Sequence, residues 1–257
     1  IPDSWLNSDS FRNMRSAMVN DLHIERICTY KYNVFRTANI ENTVFIIRKS
    51  PPGENIDVYE FASPTEGRLI NRLAIADINR LGVIDPGHSA TGETIIAHLD
   101  TFQKLSSIVL LNRGIHAYRT DGYGQTAFGH GPQTKRDKDE RSYHSDTKID
   151  KSYLPEIRGR DVFWCHYGYS GKYVSYGEWL AEPRNPKFII NPKIVFRKTL
   201  GNILSAALVK EPAAVDQSLY IAIDQNNDEE VLKFVLGITV SSLGAWYLRT
   251  KYSIYDK

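Results

Sequence analysis

The clearest periodicity lies near the start of the chain. In IPDSWLNSDSFRNMRSAMVNDLHIERICTY, Phe11, Met14, Met18 and Leu22 recur at helical spacing, and Ser8 or Ser10 stands where a side chain caps a first turn, so a helix is predicted. HIERICTY after it reads as a strand with imperfect alternation, and TVFIIRK is a compact β-rich run that fits a buried strand. Residues 1–50 thus read as strand end, helix, strand, loop, strand, the grammar of an α/β sheet entered in mid-element at Ile1. SPPGE, Ser50 to Glu54, is a breaker cluster and marks an expected boundary. Beyond it DVYEFAS reads as a strand, EGRLINRLAIADINRL as a helix, and Gly114 to Tyr176 as a region dense in Gly, Tyr and His. TKRDKDERSYHSDTK is almost wholly polar with charges of both signs and reads as a solvated loop. PKIVFRKT and SLYIAI read as strands. DEEVLKFVLGITVSSLGAWYLRTKY reads as one long helix whose acidic start suits the positive end of its dipole. No internal repeat is present.

Composition narrows the class. With 257 residues, 42% hydrophobic and 24% charged, the chain can bury a substantial core in one large or two modest globular units. It has no run of eighteen apolar residues and no basic-then-apolar start, so no membrane partner is expected and the cytoplasm is the expected compartment. Two cysteines, Cys28 and Cys165, stand far apart and argue against a disulfide framework. A formal charge of +2 does not announce a polyanion partner, so the distribution of charge has to decide. The 15 tyrosines and 10 phenylalanines suit either sheet packing or a surface that stacks on flat ligands.

Motifs of familiar chemistry fail on detail. GYGQTAFGHG, Gly122 to Gly131, lacks the Lys-Ser/Thr of a phosphate loop and the spacing of a dinucleotide turn, which leaves a tightly turned loop. His116, His130, His144 and His166 form neither a His-x-x-x-His pair nor a Cys/His set, so no metal is expected. Ser170 in GYSGKY lacks the context of a nucleophile elbow, and DQNNDEEVLK reads as a solvated helix cap and not as a nuclease core. In VFRTANIENTVFIIRKS, Phe35 heads a polar turn before a strand, and from the local pattern alone it reads as core.

Three segments together resemble one family, the TaqI-like adenine-N6 DNA methyltransferases and the type IIG restriction-modification enzymes that fuse such a methyltransferase to a nuclease. IPDSWLNSDSFRNMRSAMVND followed by YNVFRTANIENTVFIIRK is similar to the last quarter of their methyltransferase fold. LSSIVLLNRGIHAYRTDGYG and EIRGRDVFWCHYG resemble the opening of their target-recognition domain, and NPKIVFRKT with EEVLKFVLGITVSSLGAWYLRTKYS the strand and helix that close it. The resemblance implies an α/β tail of an S-adenosylmethionine-dependent methyltransferase fold over residues 1–50, followed by an α+β target-recognition domain over residues 51–257. It implies that Phe35 faces the target adenine once that base is swung out of the duplex, where stacking offsets lost pairing. It also implies that the chain is a fragment without catalytic residues. The S-adenosylmethionine strand and the Asn/Asp-Pro-Pro-Tyr/Phe motif would precede Ile1, so the cofactor belongs to the parent enzyme and none is expected to bind here. The one Pro-Pro, Pro51-Pro52, lacks the carboxamide before it and the aromatic after it.

The expected partners are double-stranded DNA and the N-terminal methyltransferase portion of the same enzyme, with or without a nuclease. Phosphates are met by Lys and Arg, and base edges by forked groups. The candidate DNA contacts are Arg113 and Arg119, Arg158 and Arg160 in RGRD, and Arg197 and Lys198 after the closing strand. The rival from another class is a stand-alone carbohydrate- or protein-binding module built on WCHYGYSGKYVSYGEW.

Overall fold

The computed structural model describes residues 1–36, 42–199 and 204–252. By contacts the chain divides into two compact units, one holding Ile1–Leu99 and the other Asp100–Arg249.

In the first unit the predicted helix is α1, Arg12–Asp21, followed by β1, His23–Tyr30, and β2, Thr43–Arg48. No serine side chain caps α1, and its buried residues are Arg15 and Val19, while Phe11 and Met14 stay exposed. Arg15 turns inward because backbone carbonyls await it: it donates to Trp5 O at 2.8 Å, Ser8 O at 2.7 Å and Gly82 O at 2.9 Å. The expected helix over EGRLINRLAIADINRL is only half present, since Glu66–Ala74 is a strand, β4, and only Ile75–Leu81 is helical, α2. The apolar spacing fits either element. A hairpin decides, because Ser63 pairs with Glu66 and the ladder then runs to Asn55 opposite Ala74 along β3, Asn55–Ser63. The sheet order is β2-β1-β3-β4, with β1 and β3 parallel and β1 and β2 antiparallel. It therefore continues through the boundary expected at residue 50, and the unit, which includes α3, Ala90–Leu99, closes at Leu99. Trp5, Ile24, Ile27, Ile56, Val58 and Leu73 form its core.

Among the described residues the second unit carries two sheets. One has the order β10-β9-β12-β5, with β5 Val109–Arg113, β9 Lys193–Arg197, β10 Ala206–Val209 and β12 Leu219–Asp224. The other runs β11-β7-β8-β6, with β6 His144–Ser145, β7 Tyr153–Ile157, β8 Tyr173–Ser175 and β11 Ala214–Val215. Both PKIVFRKT and SLYIAI are strands as predicted. The first sheet is buried on one face and partly covered on the other: Leu219, Ile221 and Ile223 face one core, and Ala222 with Ile194 and Val109 faces α6, Glu229–Thr239. The architecture is mixed α and β with several small sheets.

The single long helix expected at the end is instead α6 and α7, Ser242–Tyr252, bent by 66°. Thr239 Oγ1 donates back to Val235 O at 2.8 Å, a bond that bends helices, and Ser241 Oγ accepts from the Gly244 N–H at 3.0 Å to cap the new helix. Gly244 is required, because a Cβ there would meet Ile238 O at 2.5 Å. Among the described residues no single helix is long and apolar enough to cross a membrane.

The solvated loop expected over TKRDKDERSYHSDTK contains a short helix, α4, Lys135–Glu140, and a buried carboxylate, Asp137. Asp137 accepts from the Ala127 and Thr134 N–H groups at 2.8 Å each and from the Thr126 hydroxyl at 2.9 Å. Burial raises its pKa, but these donors outweigh burial and hold the carboxyl well below its ordinary range. Charge counting along the sequence sees polarity, not the amides that turn one of these charges inward.

A second buried charge carries a pH signature. Lys193 is fully buried and donates to Ile189 O and Asn191 O at 2.9 Å each, and burial pushes its pKa down to about 8. Below that pH the lysine is charged in both the folded and the unfolded chain, and folding carries the full penalty of burying the ammonium. As pH rises from about 8 towards the ordinary lysine value, the folded form loses its proton first, so stability rises. Urea unfolding across this window should show wild type gaining up to about 3 kcal/mol relative to Lys193→Met. Parallel curves would refute it.

Candidate nucleic-acid interface

Strand register gathers the first set of predicted residues. Tyr220 lies opposite Arg113 on one side and Phe196 on the other, so these three point to the same face. Lys198, two residues past Phe196, sets its ammonium 5.2 Å from the centre of the Tyr220 ring. Arg197, opposite Leu219, alternates to the other face although it too borders the same groove. The groove encloses about 700 Å³, floored by Leu111, Phe196 and Tyr220 and walled by Leu204 and Leu248. α6 covers the Ala222 end of this face and leaves Tyr220 43% exposed. Burial, then the like charges of Arg113 and Arg184, lower the Lys198 pKa, while Asp216 opposes them. An arriving anion would relieve that repulsion.

Arg119 lies elsewhere, in the loop after β5. It donates to Asp121 and Glu182 and sits over the Tyr123 ring. Glu182 also pairs with Arg184, whose Nε donates to Gly114 O at 3.1 Å, next to Arg113. Sequence reasoning missed Glu182 and Arg184, and no local signal marks them, since Arg119 and Gly114, the partners that tie them to this loop, are far away in the chain.

Arg158 and Arg160 part company. Arg158 is ion-paired with Glu156, whose side chain is 2% exposed, whereas Arg160 is 65% exposed and 4.0 Å from Asp161. Glu156 also bonds His144 Nε2 at 3.0 Å, and His144 Nδ1 meets the Tyr118 hydroxyl at 2.7 Å. Burial raises the Glu156 pKa, but the His144 hydrogen bond and the Arg158 charge outweigh it and hold the carboxyl below its ordinary value. Arg158 thus completes a buried polar chain, and Arg160 is open to a partner.

Phe35 is 52% exposed, outside any core. Asn39, in the same turn, lies outside the described residues. The Gly122–Gly131 loop turns tightly, with Gly122, Gly124, Gly129 and Gly131 at positive φ, and its Ala127 amide is taken by Asp137, which also accepts from the Thr134 amide just beyond the loop. Ser170 Oγ donates to Asp161. Both cysteines are free thiols, Cys28 buried and Cys165 exposed. One trio of possible metal ligands gathers among the described residues: Asp77, His88 and Glu93. Arg80 donates to both of its carboxylates, at 2.9 and 2.7 Å, and so already supplies their counter-charge.

A family model covers the part of the chain that holds most of these residues. Residues 154–256 match the TaqI-like C-terminal specificity domain. The specificity-domain match takes in Arg158, Arg160, Glu182, Arg184, Arg197, Lys198 and Tyr220, while Arg113 and Arg119 precede it. The TaqI-like resemblance read from the sequence holds over this segment. Among solved structures, the chain is similar to the type IIG restriction endonuclease BpuSI, with 11% identity, 92% of this chain and 35% of that chain covered, and a TM-score of 0.34. It is similar to the type IIL restriction-modification enzyme MmeI in complex with DNA, with 10% identity, 95% and 34% covered, and a TM-score of 0.48. It is also similar to DrdV in a DNA complex, with 11% identity, 94% and 32% covered, and a TM-score of 0.39. The chain spans about a third of the length of each. No curated protein matches it.

The contrast between the two RGRD arginines is measurable. Arg158→Ala leaves the Glu156 carboxylate buried beside His144 alone and should cost about 3 kcal/mol, whereas Arg160→Ala should change stability by less than about 0.5 kcal/mol. Equal melting temperatures for the two variants would contradict the burial of Glu156.

Proposed function

We propose that this chain recognises a DNA sequence for a restriction-modification enzyme with adenine-N6 methyltransferase activity, and that it helps to hold the target adenine. The observation that carries this reading is the convergence of Arg113, Arg197 and Lys198 on an open groove beside the exposed Tyr220 ring, in a unit whose greater part matches a specificity domain. Cations supply the sequence-independent attraction to phosphate, and side chains at the groove read base edges. A specificity domain fits that work.

The assignment of residues 1–50 to the end of a methyltransferase fold draws support from β2. This strand is at one end of its sheet and carries Val44 and Ile46 exposed on one face, with Phe45 and Ile47 packed against the core on the other. A strand apolar on both faces suits the interior of a sheet better than its edge. We take that edge to be where the methyltransferase sheet continues. S-adenosylmethionine would be the cofactor of the parent enzyme. In the glycine-rich loop Gly122–Gly131 the Ala127 amide is given to Asp137 and not left to a ligand.

The rival reading as a sugar-binding module has less support. In WCHYGYSGKYVSYGEW the polar ends of Tyr167, Tyr169, Tyr176 and Trp179 are engaged within the chain, by Glu211, Lys172 O, Arg184 O and Ser175 O. A free stacking platform would leave them to the ligand.

Duplex binding measured at several salt concentrations tests the reading. Replacing Arg113 and Lys198 together by Ala should weaken binding and flatten the salt slope by up to about two phosphate contacts. An unchanged slope would remove the groove from the interface.

Phe35 is tested in the full-length parent. Because the ring is exposed, Phe35→Ala should barely move the melting temperature. Methyl transfer from labelled S-adenosylmethionine should nevertheless fall, with Phe35→Trp retaining much of the activity because stacking needs only a flat face. Full activity in Phe35→Ala would release Phe35 from the adenine.

A further inference from the structure

Arg119 is held more firmly than a surface arginine needs to be. Its backbone N–H donates to Gln133 Oε1 at 2.9 Å, and Gln133 is itself buried and fixed through Nε2 to Ala117 O at 2.9 Å and Trp179 O at 3.0 Å. Its guanidinium lies 4.2 Å from the centre of the half-exposed Tyr123 ring. Nε and one terminal nitrogen grip the two oxygens of Asp121, and the other terminal nitrogen donates to Glu182 Oε1 at 2.8 Å. Three of its five N–H groups are thereby engaged, which leaves two donors on a planar group whose rotamers are already restricted.

Glu182 is fixed just as closely. Its backbone exchanges hydrogen bonds with His116, at 3.0 and 2.9 Å, and its second carboxylate oxygen meets Arg184. Arg184 holds a left-handed backbone, φ 68°, which a non-glycine residue keeps only where its surroundings impose it. Isolated surface ion pairs contribute about 0–1 kcal/mol and call for no such scaffolding. Resting on the DNA-recognition reading above, we propose that Arg119 reads a guanine edge in the major groove and that Glu182 is its positioning residue. A forked donor held in one orientation suits the paired O6 and N7 acceptors of guanine.

Charge and positioning predict opposite results for Glu182. On charge alone, neutralising a carboxylate on a face that meets a polyanion strengthens binding. If Glu182 positions Arg119, neutralising it costs sequence discrimination. The test is selection from a randomised duplex pool by the full chain, with thermal melts of each near-isosteric variant. Wild type should enrich a motif containing a guanine. Arg119→Lys keeps the charge and should lose preference at one guanine by roughly 10- to 100-fold. Glu182→Gln should lose preference at that same position while its affinity for unselected duplex stays equal or rises. A wild-type motif in either folded variant would overturn the proposal and leave the recognition reading standing. If wild type enriches no motif, the recognition reading fails and the proposal fails with it.

Discussion

The interface depends on the register of β12 between β5 and β9. Slipping β12 by one residue would turn Tyr220 into the core and Ile221 out of it, since strand side chains alternate with a period of two. Leu219, Ile221 and Ile223 hold the register by burial on the opposite face. Gly114 fixes where β5 ends, because a Cβ there would meet Asp216 O at 2.0 Å and Val215 O at 2.5 Å. That close approach lets the Gly114 N–H reach Leu219 O at 3.0 Å and its carbonyl receive Arg184. One backbone crossing thus sets Arg113 beside the groove and starts the loop that carries Arg119.

Buried charges give the second unit its internal definition. Asp137 and His144 lie in a segment whose composition suggests surface, yet Asp137, Lys193 and the Tyr118–His144–Glu156–Arg158 chain all place ionisable groups in the interior. Buried ions are poor sources of net stability, but each becomes costly once its partners are removed. They therefore specify one arrangement of loops on small sheets that otherwise have few hydrogen-bonded rungs, such as the two pairs joining β6 to β8. Loops fixed this way can present guanidinium groups with little entropy left to lose on binding.

The division of labour among the arginines follows from their counter-ions. Arg158 is committed to a buried carboxylate, Arg119 and Arg184 share Glu182, and Arg113 and Lys198 repel each other beside a ring. Only charges left without full compensation attract a polyanion strongly, so a net charge of +2 is compatible with one strongly cationic rim.

What the sequence determined by itself was local. The α1 helix, the strands HIERICTY, TVFIIRK, DVYEFAS, PKIVFRKT and SLYIAI, and the TaqI-like resemblance were all legible, because periodicity, β-branched runs and motif order are carried by neighbouring residues. Tertiary structure decided the rest. EGRLINRLA became a strand because β3 lay one tight turn away, and the final helix bends at Thr239–Ser241, where Gly244 lets the chain pass close to Ile238 O. Phe35, which the local pattern assigned to the core, is half-exposed. Of the six basic candidates, Arg113, Arg197 and Lys198 meet at one groove and Arg158 is tied to Glu156. The sequence lists their charges, but which charge is cancelled depends on carboxylates such as Glu182, 63 positions from Arg119, that only folding brings within reach.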